Sequence, residues 1–285
     1  MGLLTFPKGV HPKDMKYLSQ RMEIEKVDAP DTVYIPLSQH IGGPAKCLVK
    51  KGDEVKVGQL IGEKSGFISA NIHSSVSGKV KDVTQMRNIF GMNTETVVIE
   101  NDGKMTKADF QKGDPSDGKK IVKKEEEAGI VGMGGATFPT NVKLSPPEDK
   151  PIDTVILNGA ECEPYLTSDY RLMLEEPEKV VAGLKLIMKA VSAKKGYIGI
   201  EANKLDVHRR FEELVKDEDD IESVLLKTKY PQGAEKQLIY AILKRKVPAG
   251  GLPMEVGVVV QNTGTAAAIH ETVSEGKPLY ERVVT

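Results

Sequence analysis

From residue 121 onward, apolar and polar positions fall into two alternating periods. Short apolar runs at 154–157, 196–200, 223–227 and 256–261 predict strands. Helical spacing over 121–128, 178–191, 206–216, 235–245 and 265–275 predicts helices between and around them; in the second, Val180, Val181, Leu184, Ile187, Met188 and Val191 recur on one face. Strands alternating with helices imply a mostly parallel sheet covered on both faces, and the run Val258-Val259-Val260 is apolar enough for a central strand. Residues 31–100 follow a different rule. Short strands at 33–37, with Pro36 at an edge, at 45–50 and beyond the turn 51–55 are separated by Gly-Asp and Gly-Gln turns, as in a small barrel or sandwich. Residues 1–30 read as an extended arm with a helical piece near 12–20, and the polar, turn-rich stretch 101–120 reads as a linker. The expected architecture is an α/β domain, 121–285, preceded by a small all-β barrel-sandwich domain, 31–100.

Composition narrows the function. A chain of 285 residues has room for about two domains. A net charge of −1, no Trp and 5% aromatic residues argue against a nucleic-acid face. No apolar run approaches the roughly 18–20 residues that span a bilayer, so no direct membrane span is expected, and the start carries no secretory pattern. A cytoplasmic location follows as the expectation. The two cysteines, Cys47 and Cys162, lie far apart, whereas an iron–sulfur cluster takes about four thiolates.

Candidate chemistry sits in two strings. Gly132-Met133-Gly134-Gly135-Ala136-Thr137-Phe138-Pro139-Thr140-Asn141-Val142-Lys143-Leu144 is a glycine-rich loop ending in an aromatic, a Pro and a Lys. Such a backbone can approach a ligand closely and offer N–H groups to an anion, with a Lys charge nearby. It is not the ordinary dinucleotide fingerprint: the third glycine falls at Thr137, and the preceding segment reads as helix rather than strand. Asn158-Gly159-Ala160-Glu161-Cys162-Glu163-Pro164 follows a buried strand and sets an amide and two carboxylates at its carboxyl end, where open α/β sheets bind ligands. Spacing of two makes Glu161 and Glu163 face the same way in an extended segment and raise each other's pKa.

Together these strings resemble the flavin-binding subunit of respiratory complex I and, more closely, the C subunit of the Rnf electron-transport complex. The resemblance rests on 134–144, 158–173 and 257–266, and extends to Lys8-Gly9-Val10-His11-Pro12 and 35–42, so it covers nearly the whole chain. It implies a Rossmann-like complex-I flavin-subunit domain. Gly132, Gly134, Gly135 and Ala136 would line FMN with backbone, Lys143 would meet its phosphate or ribityl oxygens, Asn158 the flavin edge, and Phe138 the nicotinamide or adenine side. Glu161 or Glu163 would hydrogen-bond NADH. Tyr230, Gly233 and Glu235 resemble a further cofactor segment of the complex I subunit. Asn262 and Thr263 would contact ribityl or phosphate; the bland alternative is a helix cap at Thr263 or Thr265. Cys162 reads as a packed residue.

The same resemblance implies a ferredoxin:NAD oxidoreductase coupled to ion movement, with FMN and NAD(H) as cofactors. Iron–sulfur clusters would lie beyond the region present, making this a truncated chain. Partners would be the membrane and ferredoxin-like subunits of the complex, at the inner face of the cell membrane. Two alternatives stay open: a flavin-dependent cobalamin reductase, and a non-catalytic docking module. Within 31–100, residues 49–62 and 76–80 resemble lipoyl- and biotin-carrier domains, but the carrier Lys position falls near Phe67, implying shape without a swinging arm. His73 is expected to be a satisfied hydrogen-bonding residue. Lys119, Lys120, Lys123 and Lys124, followed by Glu125, Glu126 and Glu127, read as a solvated helix face.

Overall fold

The alternating apolar residues of the first hundred positions point inward from two small antiparallel sheets. The computed structural model describes residues 3–88 and 91–285. In chain order its first strands are β1 (Thr32–Pro36), β2 (Lys46–Cys47), β3 (Glu54–Val55), β4 (Leu60–Glu63), β5 (Ile72–His73), β6 (Gly78–Arg87) and β7 (Asn93–Asn101). One sheet runs β1-β7-β6-β3 and the other β2-β4-β5. Leu37, Ile61, Val80, Val97 and Ile99 make their shared core. Phe67, at the place where a carrier Lys would stand, is 74% exposed.

Helices α1 (Gly118–Glu127) and α2 (Thr140–Lys143) belong to the same compact unit, which comprises 25–143 and 271–282. Asp117 caps α1 by accepting the Lys119 N–H at 2.9 Å. Only part of α1 is the solvated face that its charges suggest. Lys123 and Glu127 form an exposed pair at 3.8 Å, and Lys64 pairs with Glu126. Glu125, however, follows Ile121 by one turn on the inward face and is fully buried. Neither of its carboxyl oxygens has a hydrogen-bond partner among the described residues, and burial raises its pKa well above the ordinary carboxylate value. His73 departs from expectation in the same sense. Its Nδ1 lacks a partner among the described residues, and burial, helped by Lys124, lowers its pKa to about 4, so it stays neutral.

The second unit comprises 3–24, 144–270 and 283–285. Its elements are β8 (Thr154–Gly159), α3 (Ser168–Glu175), α4 (Pro177–Ala190), β9 (Lys195–Glu201), α5 (Leu205–Leu214), β10 (Ile221–Leu226), α6 (Glu235–Leu243), β11 (Val258–Asn262) and α7 (Thr263–Glu275), whose last residues pass into the other unit. The four strands are parallel, in the order β10-β9-β8-β11. β11 therefore lies at the end of the sheet, not at its centre. Its apolar character has another cause: Val258 and Val260 pack with Ile156 of β8 against Leu238 and Ile239 of α6. On the other face α4 and α7 cross so closely that a Cβ on Gly183 would lie 1.9 Å from the Ala266 carbonyl oxygen, which is why that position holds a glycine.

The N-terminal arm is part of this unit. Leu4 forms a parallel bridge to Leu226, with its N–H donating to Leu225 O at 3.1 Å, and so borders β10. Val10 exchanges backbone hydrogen bonds with Tyr230 at 2.9 and 2.8 Å. The buried Lys229 ammonium donates to the carbonyls of Phe6 and Lys8 and lies 4.0 Å over the Phe6 ring. In place of the helix foreseen near 12–20 there is one turn of 3-10 helix, Lys16–Leu18.

The buried, unpartnered carboxyl of Glu125 sets a first expectation. Glu125→Leu should stabilise the protein by about 1–3 kcal/mol, the usual cost of a buried polar group without a hydrogen bond. A urea midpoint that rises at unchanged slope would show it; a fall would mean that Glu125 has a partner in solution.

Candidate functional site

The chain enters the parallel sheet at β8, adds β9 and β10 on one side, and returns to add β11 on the other. The carboxyl ends of β8 and β11 thus flank the point where strand order reverses, the crevice in which open α/β sheets bind ligands. Asn158 and Asn262 stand there in register, side by side on the two strands.

The loops leaving these strand ends are tied together by side chains. Asn158 donates through Nδ2 to Gly233 O at 2.7 Å and accepts the Ala160 N–H at 3.2 Å. The Gly233 N–H donates to Cys162 Sγ at 2.8 Å. A Cβ on Gly233 would come within 3.0–3.1 Å of Asn158 Oδ1, Ala160 Cβ and Cys162 Sγ, so a larger residue there would have to push these side chains back by a few tenths of an ångström. Burial pushes the Cys162 thiol up to about 11, which keeps it protonated and agrees with a packed residue. Asn262 Oδ1 accepts the N–H groups of Gly264 (2.8 Å) and Thr265 (3.3 Å), while its Nδ2 donates to Asp169 Oδ2 at 2.6 Å. Asn262 is therefore the cap of α7, a role foreseen for Thr263 or Thr265. Thr263 instead buries a hydroxyl with no partner among the described residues.

Glu161 and Glu163 do not face the same way. The backbone between them is not extended, because Glu161 has φ of +49°. Its side chain turns inward: Oε1 accepts the Asp169 N–H at 2.7 Å in the first turn of α3, and Oε2 lies 3.6 Å from Lys16 Nζ. Glu163 is exposed. Nor is Glu163 what raises the Glu161 pKa. Glu161 is pushed up to about 7 by burial first and then by the charge of Asp169, against the pull of Lys16 and Lys204. Asp169 is raised by its own burial.

A second buried pair adjoins this loop. Lys204, which burial lowers, donates to Ala160 O at 2.7 Å and to Asn203 Oδ1 at 3.1 Å, and lies 4.0 Å from Glu201 Oε2. Glu201 is pushed up to about 7 by burial and accepts the Lys229 N–H at 3.3 Å.

Asn158, Glu161, Gly233, Asn262 and Thr263 are thus brought to one end of one sheet. Glu163 and Tyr230 lie on the same loops, and Glu235 is the first residue of α6, where the helix dipole favours a carboxylate. The residues 132–143 belong to the other compact unit. There the Gly132 N–H donates to Phe138 O at 2.8 Å and Val131 bridges Pro139, closing a loop with Gly134, Gly135 and Ala136 exposed and Phe138 and Lys143 half-buried. Gly134 takes φ of +74° and Thr137 +52°, and no atom lies within 4 Å of a Cβ built on Gly135. Sequence reasoning missed Lys16, Asp169, Glu201 and Lys204. Asp169 was visible inside the 158–173 string; Lys204 and Glu201 gave no signal, being a polar pair at a strand end.

Comparison with known proteins bears on the same segments. A family model described as the Nuo51 FMN-binding domain matches residues 126–271, and one described as the RnfC barrel sandwich hybrid domain matches 4–104. The chain is 50% identical, over 99% of its length, to the C subunit of the proton-translocating ferredoxin:NAD(+) oxidoreductase complex of Clostridium ljungdahlii, of which it spans 63%. It is 49% identical, again over 99%, to the C subunit of the Na(+)-translocating ferredoxin:NAD(+) oxidoreductase complex of Acetobacterium woodii, spanning 64% of it. Identity to the C subunit of the ion-translocating oxidoreductase complex of Rhodobacter capsulatus is 38% over 97% of the chain and 54% of the relative. The chain thus spans less than two thirds of these relatives. An NAD+-reducing NiFe hydrogenase in its H2-reduced state superposes with a TM-score of 0.50 at 25% identity, over 56% of this chain and 31% of that one. Among the described residues no helix is long and apolar enough to cross a membrane.

The two raised carboxyls fix a pH dependence. With folded values near 7 and ordinary values near 4.5, Glu161 and Glu201 hold more protons folded than unfolded between those limits. Their contribution to stability is therefore full below about pH 4.5 and is lost as pH rises through 7. Glu201→Gln should flatten that fall when urea midpoints are compared from pH 5 to pH 8; a midpoint that climbs with pH in both proteins would refute the assignment.

Proposed function

The chain belongs to the Rnf C-subunit family and carries the Nuo51-type FMN-binding domain, and from that membership we propose that it handles FMN and NAD(H) in a ferredoxin:NAD oxidoreductase. Hydride would pass between NAD(H) and FMN, and single electrons to iron–sulfur clusters. The complex would include membrane and ferredoxin-like subunits, couple the reaction to ion movement, and hold this chain at the inner face of the cell membrane. The names of the relatives, proton- or Na(+)-translocating ferredoxin:NAD(+) oxidoreductase, support this assignment. So does the NAD+-reducing activity named for the hydrogenase.

One observation carries the site: Asn158, Gly233, Asn262 and Thr263 meet where strand order reverses, inside the segment that matches the FMN-binding family. The groups present fit a phosphate- and hydroxyl-bearing cofactor. Thr263 holds a buried hydroxyl without a partner among the described residues at the start of a 13-residue helix, and a helix start favours anions. Bound FMN would supply the centre that exchanges hydride and single electrons. The chain's part is to bind and orient. Thr263 would hydrogen-bond the cofactor, Asn158 and Gly233 would fix the loop that meets it, and exposed Glu163 would bond the nicotinamide nucleotide. Glu161, turned inward, shapes the loop. Taken by itself, the loop 132–143 has by its resemblance a flavin-binding role of its own: backbone from Gly132, Gly134, Gly135 and Ala136, a positive charge from Lys143 and an aromatic edge from Phe138.

The reading is tested anaerobically on the chain reconstituted with FMN and freed of excess flavin. Retained flavin should bleach on adding NADH. Glu163→Gln should raise the NADH concentration for half-maximal bleaching about tenfold or more, as expected for loss of a hydrogen bond from a charged group. Gly135→Val, which sets a branched side chain on exposed backbone, should separately weaken flavin retention. Flavin that is neither kept nor bleached would favour the docking-module alternative.

A further inference from the structure

The N-terminal string Lys8-Gly9-Val10-His11-Pro12 and the residues after it have no part in the site as read so far. They nevertheless reach its loop. Lys16 is 6% exposed, and its ammonium donates to three carbonyls of one loop: Glu161 at 3.0 Å, Glu163 at 3.0 Å and Leu166 at 2.5 Å. An ammonium has three protons, and here each has a carbonyl. The same nitrogen lies 3.6 Å from Glu161 Oε2. Contacts to either side hold the arm in place. The Met15 N–H donates to Pro164 O at 3.2 Å, Ser19 Oγ lies 2.8 Å from Thr167 Oγ1, and Arg171 Nη1 donates to Gln20 O at 3.2 Å.

We propose that Lys16 is a positioning residue for the nicotinamide nucleotide: from the arm it sets the conformation of loop 160–166, and through that loop the direction of the exposed Glu163 carboxylate. The role rests on the nucleotide reading above. The physical case is one of inward carbonyls. Loop 160–166 belongs to no ladder or helix; Glu163 O also accepts the Leu166 N–H at 3.2 Å, whereas Lys16 is the donor to Glu161 O and Leu166 O among the described residues, and carbonyls turned inward require donors. Lys16 gathers residues 161, 163 and 166 onto one atom, closing the loop as a capping side chain closes a helix end. Lys204 completes the set from the carboxyl end of the neighbouring strand β9 by bonding Ala160 O at 2.7 Å. Glu161, at a left-handed backbone angle unfavourable for a side-chain-bearing residue, is held by Lys16 and by the Asp169 N–H. Removing the ammonium frees Glu161 O and Leu166 O on either side of Glu163 and leaves Glu163 O with the Leu166 N–H alone, which loosens the restraint on the direction of that residue.

The test uses the full chain with Lys16→Met, which keeps the stem and removes the three donors. Two readouts are taken: hydrogen exchange of the amides of 160–167, and NADH-dependent bleaching of bound FMN, split into half-saturating concentration and maximal rate. Faster exchange confined to 160–167, with a half-saturating NADH concentration raised about tenfold or more and the maximal rate retained, is the expected result. Lys16→Arg should fall between this variant and the unaltered chain. Unchanged loop exchange with unchanged NADH response overturns the proposal, as does loosening spread evenly over the α/β unit, which would mean that Lys16 only supports the fold. If the unaltered chain keeps no FMN, the nucleotide reading fails by itself; the exchange pattern then decides whether Lys16 sets the loop, supporting it if faster in 160–167 and refuting it if unchanged. Should Lys16→Met not fold, Lys16→Arg is judged by the same criteria.

Discussion

An irregular loop can be buried only if its carbonyls find donors, and at the end of this parallel sheet the donors are ammonium groups. Lys16 and Lys204 between them bond the carbonyls of residues 160, 161, 163 and 166. Taking an ammonium out of water costs several kcal/mol unless its hydrogen bonds are replaced and a counter-charge is near. Both conditions are met, because Glu161 and Glu201 lie within 4.0 Å of these nitrogens. The arrangement is mutually dependent. The loop needs the lysines for its carbonyls, and the lysines need the loop and the carboxylates to be buried at all. Removing either ammonium leaves loop carbonyls without the side-chain donor that they have here.

Topology decides where that loop stands. Since β9 and β10 are added on one side of β8 and β11 on the other, the carboxyl ends of β8 and β11 flank the point where strand order reverses, the place at which open α/β sheets form a ligand crevice. Asn262 uses its whole amide to cap α7 and to bond Asp169, and Asp169 in turn holds Glu161. Thus the helix that starts at the crevice and the loop that borders it are joined by one chain of hydrogen bonds. Thr263, next in sequence, is left with a hydroxyl that bonds nothing among the described residues. A buried hydroxyl in that condition is costly in a protein interior and ordinary at a ligand site.

How far the sequence foretold this depends on the kind of information each element carries. β8, β9, β10 and α4 were legible because their burial comes from runs or stripes of apolar residues, which leave a period in the sequence. α3 was not, since Ser168–Glu175 mixes polar and apolar residues and only Met173 is fully inside. The end position of β11 was hidden for a related reason: helices cover both faces of the sheet, so an outer strand is as apolar as a central one. The strings single out the candidate residues but not the directions of their side chains. A spacing of two fixes a common face only for extended backbone, and one positive φ at Glu161 parts it from Glu163. Glu125 escaped notice because charge alone suggests solvent, whereas its one-turn separation from Ile121 sets it inside.

The least legible feature is the part of the arm in the site. Lys16 lies 145 residues from Glu161, in a stretch that reads as an extended arm with a short helical piece. No local rule links a lysine to carbonyls so distant in sequence; the link is made by the sheet, which brings Leu4 to the edge of β10 and Val10 to Tyr230, and so lays the next residues beside loop 160–166. An anchor of that kind couples two things that the chain keeps far apart. Whatever loosens the arm from β10 also withdraws the donors from the loop, and whatever seats it restores them. The carboxyl end of the parallel sheet is therefore built from segments far apart in the sequence, with the arm as much a part of the candidate site's support as the strands that carry it.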